Sequence, residues 1–231
     1  MVKFKIMLEE EKKLLKKGFQ YIAGIDEAGR GCIAGPVVAG IVCLNYNFIK
    51  ERRRGENFIR HLYKLGLKDS KKISPQKREY FFRMLSESKF FSLATGSVSE
   101  KIIDSKNIFE ATKLAMKKAL KNLLRKEKEK SKKFSVDFLI IDGNFFIDAK
   151  VPQKPIISAD ERVFLCISAS IVAKVTRDRM MMRYHKIYNY YGFDKHKGYF
   201  TKLHLKALKK YGPCPLHRQS FSPVAKIKKI C

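Results

Sequence analysis

The sequence lacks any closely spaced pair of cysteines. Its five cysteines stand at positions 32, 43, 166, 214 and 231, so no C-x-x-C pair exists and the number is odd. Both facts argue against a zinc knuckle and against a framework of disulfide bonds. Unpaired cysteines are typical of a reducing compartment, and we expect a cytoplasmic protein.

Long hydrophobic runs are also missing. The longest nearly apolar run, residues 32–44, contains Pro36 and is too short to cross a bilayer. The first residues are charged and lack the apolar core of a signal peptide. We therefore expect neither a membrane span nor secretion.

Acidic residues are scarce. The chain has 22 Asp and Glu against 50 Lys and Arg, which gives a formal net charge of +28. This excess predicts attraction to a polyanion such as nucleic acid, with binding that weakens as salt rises. A generic basic surface is the alternative. The 231 residues are 45% hydrophobic, enough to form the core of one large domain with a small extension.

Hydrophobic periodicity predicts an α/β fold with a mixed sheet flanked by helices and a helical C-terminal part. We expect strands over 19–26, 36–44, 89–98 and 136–142, and helices over 1–17, 107–126, 163–190 and 201–211, with a further helix that begins at Ser74-Pro75. Segment 45–66 reads as a polar, basic loop that could include a helical turn around 57–64, and 125–133 reads as an exposed connection. The expected units are an N-terminal helical extension (1–18), a main α/β domain (19–190) and a C-terminal helical segment with a basic tail (191–231).

The few acids that follow apolar runs stand at the ends of predicted elements. Asp26 and Glu27 end one strand, Asp142 ends another, and Asp160 precedes a long helix. Strand ends at one sheet edge converge, so these carboxylates could bind Mg²⁺, and two such ions could hold both the attacking and the leaving oxygen when a phosphodiester is hydrolysed.

Each acid also has a simpler interpretation. Asp160 could cap a helix, Asp142 before Gly143 could form a turn, and Asp26 with Glu27 could lie in a solvated loop. Neighbours in a regular strand point to opposite faces, so the last two can share a site only if the strand ends or bulges there.

A glycine-rich turn follows the first acids. Gly29, Arg30 and Gly31 offer backbone amides to an oxygen-rich ligand without obstruction from side chains.

Several segments together resemble bacterial ribonuclease HII, a type 2 ribonuclease H. They are, in family order, GIDEAGRG at 24–31, AGPVVA at 34–39, DSKK at 69–72, NIFEAT at 107–112, IDG at 141–143, SASIVAKVTRD at 168–178, HKGY at 196–199, Gly-Pro at 212–213 and HRQSF at 217–221. The combination spans roughly residues 21–224 and is far more specific than the Asp-Glu pair alone.

The resemblance implies a ribonuclease H-like fold and a metal-dependent endoribonuclease. It implies hydrolysis of the RNA strand of RNA–DNA hybrids and incision on the 5′ side of ribonucleotides embedded in DNA, leaving 3′-OH and 5′-phosphate ends. The family's four metal-binding acids correspond to Asp26, Glu27, Asp142 and Asp160, with Mg²⁺ or Mn²⁺ as cofactor and two ions during catalysis. We expect a monomer, and a clamp-type protein partner is not readable from the sequence.

Substrate recognition is also implied. The turn of Gly29, Arg30 and Gly31 corresponds to the family's reader of the ribose 2′-OH, and Tyr199 to its junction-sensing tyrosine. Lys71 and Lys72 would hold phosphates. The sequence departs from the family pattern around Asp160, where Asp178 is the competing fourth acid, and at Phe200, which replaces a small residue after Tyr199.

Other polar and aromatic groups have simpler roles. We interpret His196 and His217 as residues that make structural or phosphate hydrogen bonds. For the helical arginines 177, 179 and 183, phosphate contact and solvation are equally open. We expect Asp178 to pair within its own helix with Lys174 or Arg183. Two alternatives remain: a ribonuclease HIII-like hybrid nuclease and a noncatalytic nucleic-acid-binding protein on the same fold.

Overall fold

The protein is built around one mixed five-stranded sheet, seen here in a computed structural model that describes residues 8–67, 73–130 and 134–228. The strands are β1 (Ile22–Ala28), β2 (Val37–Leu44), β3 (Phe91–Val98), β4 (Phe138–Asp142) and β5 (Gln153–Ile156). Their order is β3–β2–β1–β4–β5. The β1–β2 and β2–β3 pairs are antiparallel, whereas β1–β4 and β4–β5 are parallel. The predicted mixed sheet is therefore confirmed, with β1 at its centre.

Helices cover both faces of the sheet. They are α1 (Glu9–Lys16), α2 (Tyr46–Lys50), α3 (Arg52–Lys64), α4 (Pro75–Glu87), α5 (Glu100–Lys106), α6 (Ile108–Lys130), α7 (Ala159–Arg162), α8 (Phe164–Ile187), α9 (Phe193–His196), α10 (Lys202–Tyr211) and α11 (Ser222–Lys228), with a 3-10 turn at Asn189–Tyr191. The two long helices, α8 and α6, contribute to separate apolar clusters on opposite faces of the sheet. Within the described ranges, no helix is long and apolar enough to cross a membrane.

Helix α8 packs against the backbone of the central strands. A Cβ atom at Gly40 of β2 would lie 2.4 Å from the carbonyl oxygen of Ala169, and one at Gly24 of β1 would lie 2.5 Å from the carbonyl carbon of Leu165. Glycine at these positions lets α8 sit directly on the sheet, which fixes the distance between the helix and the strand that carries Asp26.

The predicted loop over 45–66 is wrong, because the segment forms α2 and α3; the helical turn expected around 57–64 is the last part of α3. The Asn45 side chain caps α2 by accepting the amides of Asn47 and Phe48 at 3.0 and 3.3 Å. Helix α3 buries Ile59 and Leu62 on one face and exposes its charged residues on the other. The high polarity of this segment concealed its amphipathic period.

Other boundaries also differ from expectation. Helix α6 continues to Lys130, through most of the segment expected to be an exposed connection. Strand β5 was not predicted, because four residues that include Pro155 carry almost no strand signal. The proline is compatible with a strand there because β5 lies at the edge of the sheet.

The N-terminus of α8 is capped from another helix. The fully buried carboxylate of Glu11 in α1 accepts the Leu165 amide at 3.0 Å. Burial raises the pKa of Glu11 to about 7, although the hydrogen bonds that its carboxylate accepts from backbone amides, that of Leu165 first, lower the pKa. Glu11 therefore costs the folded protein free energy when it is ionised.

This burial predicts a stability difference that depends on pH. Because the folded-state pKa is raised, stability should fall as pH rises from about 4 to about 7, by about 3 kcal/mol from this group. Glu11→Gln should remove that decline, so the difference in free energy of unfolding between variant and wild type should grow from pH 5 to pH 8. Urea titrations at both pH values measure it. Glu9→Gln, on the exposed side of α1, should show no such difference; a flat profile for Glu11→Gln would contradict the prediction.

Candidate functional site

Three carboxylates converge at one edge of the sheet. Ile25 of β1 pairs with Ile141 of β4, so Asp26 and Asp142, which follow them, are neighbours on adjacent strands. Asp160, the second residue of α7, completes the group. One oxygen from each of the three lies within 4.8 Å of the other two. Such a cluster of oxygen ligands fits a hard divalent cation.

The local backbone holds these carboxylates together. An oxygen of Asp142 accepts the Ala159 amide at 2.6 Å, and an oxygen of Asp26 accepts the Glu27 amide at 2.7 Å. The N-cap of α7 is Ser158 and that of α8 is Val163, so Asp160 caps neither helix. The capping interpretation of Asp160 is therefore wrong, and its carboxylate faces the other two acids instead.

Burial and mutual repulsion make the cluster costly without a cation. Burial, and then the charges of Glu27 and Asp142, raise the pKa of Asp26 well above its ordinary value. Burial and the Asp160 charge likewise raise the pKa of Asp142. A bound cation would offset this repulsion, so the donor set and its electrostatics both suit a metal ion.

Glu27 lies beside the three-carboxylate group rather than in it. Strand β1 continues in register through Ala28, so the strand neither ends nor bulges at Asp26. One carboxylate oxygen of Glu27 is 3.1 Å from a guanidinium nitrogen of Arg30. The other is buried and makes no hydrogen bond to a described residue. Burial raises the pKa of Glu27, and the charge of Asp142 contributes, so Glu27 lies within electrostatic reach of the cluster.

Sequence reasoning missed a positively charged side chain beside the carboxylates, that of Lys174. Lys174 donates to the hydroxyl of Ser170 at 2.7 Å. The charge of Lys174 lowers the pKa of Asp26, against the larger effect of burial, and so does a hydrogen bond from Ser170. The two residues are four apart in α8, which was the available signal, since that spacing places them on one helix face.

Asp178 lies outside the cluster. Its carboxylate is 3.6 Å from the guanidinium of Arg78 in α4. The expected pairing of Asp178 with Lys174 or Arg183 is therefore wrong, because α4 packs against α8 and brings Arg78 to this carboxylate. Lys71 and Lys72 lie outside the described residues.

The glycine turn stands next to the cluster. Gly29 has φ of 94°, and a Cβ there would lie 2.1 Å from Nε of Arg177. Gly31 is different, because a Cβ there would meet no atom within 4 Å. Packing therefore requires glycine at position 29, whereas position 31 faces open space. A ligand that approaches the backbone would account for glycine at 31.

Tyr199 lies against the same segment. Cys32 and Tyr199 form an isolated antiparallel bridge, and the Ile33 amide donates to the Gly198 carbonyl at 3.0 Å. The tyrosine side chain is exposed, as is Phe200 beside it. The fold thus places Tyr199 beside the segment that follows the turn, and the turn itself follows the strand that carries Asp26 and Glu27.

The histidines behind Tyr199 form a buried hydrogen-bond chain. The Cys214 amide donates to Nδ1 of His217, so Nε2 of His217 donates to Nε2 of His204, and Nδ1 of His204 donates to the Tyr199 carbonyl. Burial lowers the pKa of His204 to about 3 and that of His217 to about 4. Both are neutral at neutral pH and hold the Tyr199 backbone in place.

The helical arginines do not share one exposed face. Arg177 is buried and donates to the backbone carbonyls of Pro36, Lys197 and Ala34 at 2.9, 2.7 and 3.0 Å. Arg179 is exposed and pairs with Glu79. Both roles predicted for Arg177, phosphate contact and solvation, are therefore wrong. Its side chain instead connects the segment after the turn to the segment that precedes Tyr199.

The chain is similar to known proteins over most of its length. A family model described as ribonuclease HII matches residues 23–224. Ribonuclease HII of Chlamydia trachomatis serovar D is 44% identical over 223 residues, covering 94% of this chain and 92% of the relative.

Solved structures agree as well. The crystal structure of ribonuclease H2 from Pyrococcus horikoshii OT3 matches with a TM-score of 0.69 and 25% identity, over 91% of this chain and 98% of that chain. The structure of the PCNA:RNase HII complex from Archaeoglobus fulgidus matches with a TM-score of 0.61 and 26% identity, over 90% of this chain and 96% of that chain.

Proposed function

The chain belongs to the ribonuclease HII family, and we propose from that premise how its own residues bind metal, recognise ribose and hold the duplex. The protein is an endoribonuclease, so the noncatalytic alternative is wrong. Its proposed substrates are RNA–DNA hybrids and duplex DNA with embedded ribonucleotides, incised 5′ of the ribonucleotide to leave 3′-OH and 5′-phosphate ends.

Asp26, Asp142 and Asp160 hold the metal, with Glu27 beside them. The observation that carries this proposal is the convergence of three carboxylate oxygens within 4.8 Å in a buried, mutually repulsive cluster. When bound, two Mg²⁺ or Mn²⁺ ions would supply Lewis-acid stabilisation of the phosphodiester and a more acidic water. Lys174 partly neutralises the acids, which limits their repulsion before metal arrives.

The turn reads the ribose. The 2′-OH distinguishes RNA from DNA, and the open side of Gly31 lets a sugar approach the backbone closely. The amides of Arg30 and Gly31 are the donors on this side. Neither of them donates a hydrogen bond within the described part of the chain.

Tyr199 tests the neighbouring sugar. Its ring is exposed, while its backbone is fixed by Cys32 on one side and by His204 on the other. The Arg177 guanidinium lies 5.9 Å from the ring centroid and supports it from behind. A ring held in this way can stack on a deoxyribose and exclude a ribose by steric conflict.

A basic groove between α4 and α8 gives the duplex backbone a path. Its cationic lining residues are Arg78, Arg179, Arg183, Lys186 and Lys197. Lys197 is two residues from Tyr199, so the end of the groove that Lys197 lines is close to the tyrosine. Contacts of this kind would position phosphates and make binding dependent on salt.

A duplex that contains a single ribonucleotide tests the function. We expect one nick on the 5′ side of the ribonucleotide with Mg²⁺ or Mn²⁺, and no nick with EDTA or on an all-deoxy duplex. Gel electrophoresis of end-labelled strands locates the cut. Binding to the duplex without any metal-dependent nick would refute the proposal.

Tyr199→Ala should affect one substrate more than another. Because aromatic stacking contributes about 1–3 kcal/mol, we expect kcat/KM at a single embedded ribonucleotide to fall about tenfold or more. Cleavage of a uniform RNA–DNA hybrid should fall less, since no ribose–deoxyribose junction needs to be recognised there. Tyr190→Ala, at an equally exposed tyrosine, is the matched control and should preserve the ratio of the two rates. Equal losses on both substrates for Tyr199→Ala would contradict the assigned role.

A further inference from the structure

Arg218 is a fully buried arginine without a carboxylate partner in the described ranges. All of its described hydrogen bonds from the guanidinium go to backbone carbonyls of one segment. Nη2 donates to Gly29 at 2.6 Å, Nη1 donates to Arg30 at 2.8 Å, and Nε and Nη2 donate to Gly35 at 3.1 and 2.9 Å. One guanidinium therefore fixes three peptide groups in and beside the turn.

These contacts determine the direction of the turn amides. The Gly29 carbonyl and the Arg30 amide belong to one planar trans peptide group, so they point in opposite directions. The same holds for the Arg30 carbonyl and the Gly31 amide. Because Arg218 binds both carbonyls, both amides point away from its guanidinium, and a Cβ at Gly31 would meet no atom within 4 Å.

Arg218 is itself held firmly. Its amide donates to the Ile33 carbonyl at 2.9 Å. The carboxylate of Asp104 accepts the amides of Gln219 and Ser220, both at 2.9 Å, and so anchors the residues that follow. The guanidinium lies 5.0 Å from the ring centroid of Phe221. The donor fork is therefore fixed before any ligand arrives.

We propose that Arg218 is a positioning residue for ribose recognition, which aims the amides of Arg30 and Gly31 at the 2′-hydroxyl. The inference rests on the proposed function of the turn. Arginine suits this position because its planar guanidinium donates from three nitrogens spread over a rigid fork, whereas the three donors of a lysine ammonium all radiate from one nitrogen and cannot reach the same carbonyls together. Its buried charge also lies beneath the turn, where a positive potential favours an approaching phosphate or hydroxyl oxygen.

Arg218→Lys, combined with Asp26→Asn so that duplexes are bound but not cut, tests the role. The measurement is the ratio of dissociation constants for an all-deoxy duplex and the same duplex with one ribonucleotide, at fixed salt. The comparison protein carries Asp26→Asn alone, and we expect it to prefer the ribonucleotide. In the double variant we expect that ratio to fall about tenfold, as for one or two lost hydrogen bonds. Affinity for the all-deoxy duplex should hardly change.

Several outcomes separate the possible failures. A purely structural role would lower the folded fraction and weaken both duplexes equally, leaving the ratio intact and overturning the inference. If the protein with Arg218 shows no preference, the proposed function of the turn fails instead. Arg54→Lys, at an exposed arginine of α3 far from the site in the chain, is the control and should preserve the ratio.

Amide hydrogen exchange in the Asp26→Asn protein tests the same geometry without altering Arg218. We expect the amides of Arg30 and Gly31 to exchange freely in the unbound protein and to become protected by the ribonucleotide duplex only. Equal protection by the all-deoxy duplex, or protection without any duplex, would overturn the inference even if Arg218→Lys failed to fold.

Discussion

Replacing Asp26 with asparagine should reduce metal-dependent cleavage at a single ribonucleotide by at least about a thousandfold, or ~4 kcal/mol in activation free energy. Asp26 is the most central of the three carboxylates, since it lies on the middle strand of the sheet and beside Asp142. Asparagine keeps the shape and one acceptor oxygen but removes the charge that a hard cation requires. Single-turnover kinetics with Mg²⁺ would measure the loss.

The same variant should be more stable than the wild type without metal. Because the folded-state pKa of Asp26 is raised, its contribution to stability is present below an ordinary value of about 4 and is lost as pH rises through the folded value. Asp26→Asn should therefore raise the free energy of unfolding at pH 8 in EDTA. With excess Mg²⁺ the order should reverse, since only the wild type gains stability from the bound ion.

Asp178→Asn is the matched control for this prediction. Its carboxylate pairs with Arg78 outside the cluster, so cleavage should remain close to that of the wild type. Asp160→Asn should behave like Asp26→Asn, because Asp160 shares the three-carboxylate group. Loss of cleavage in the Asp178 variant with retention in the Asp160 variant would show that the fourth acid is wrongly assigned.

Gly24→Ala should destabilise the protein by at least about 3 kcal/mol, the upper range for an overpacked core. The new methyl group would lie 2.5 Å from the carbonyl carbon of Leu165, a backbone atom that no side-chain rotation can move. Helix α8 cannot easily withdraw, because it rests along β1 and β2 and receives the Glu11 cap at its start. Urea denaturation would measure the change.

Gly31→Ala is the contrasting variant. A methyl group there meets nothing within 4 Å, so the free energy of unfolding should hardly change, while cleavage should fall as the sugar is kept from the turn. Equal stability of the two alanine variants would show that α8 does not rest on β1 as closely as described.

The sequence predicted four of the five strands and the convergence of three acids, because both depend on short, strong patterns. The apolar runs before Asp26 and Asp142 identify two strands, and family motifs surround both acids. The parallel pairing of β1 and β4, which makes these aspartates neighbours, is a tertiary fact that the sequence pattern only allowed.

The misses have a common cause. Arg177 looked like part of a basic helical face, yet it is buried because its guanidinium serves three carbonyls from other segments. Arg218 acquires its surroundings in the same way. Charged residues that satisfy distant backbone groups leave no periodic signal in a single sequence, since their partners are far away along the chain.

The order of Arg218 and the acids along the chain has a consequence for biosynthesis. All the carboxylates of the site lie before residue 161, whereas the arginine that orients the turn is made almost sixty residues later, about 3–12 seconds at roughly 5–20 residues per second. A nascent or prematurely terminated chain would thus carry every metal-binding acid before it could discriminate ribose from deoxyribose. In the order of synthesis, discrimination between ribose and deoxyribose would therefore arise after the metal-binding acids are complete.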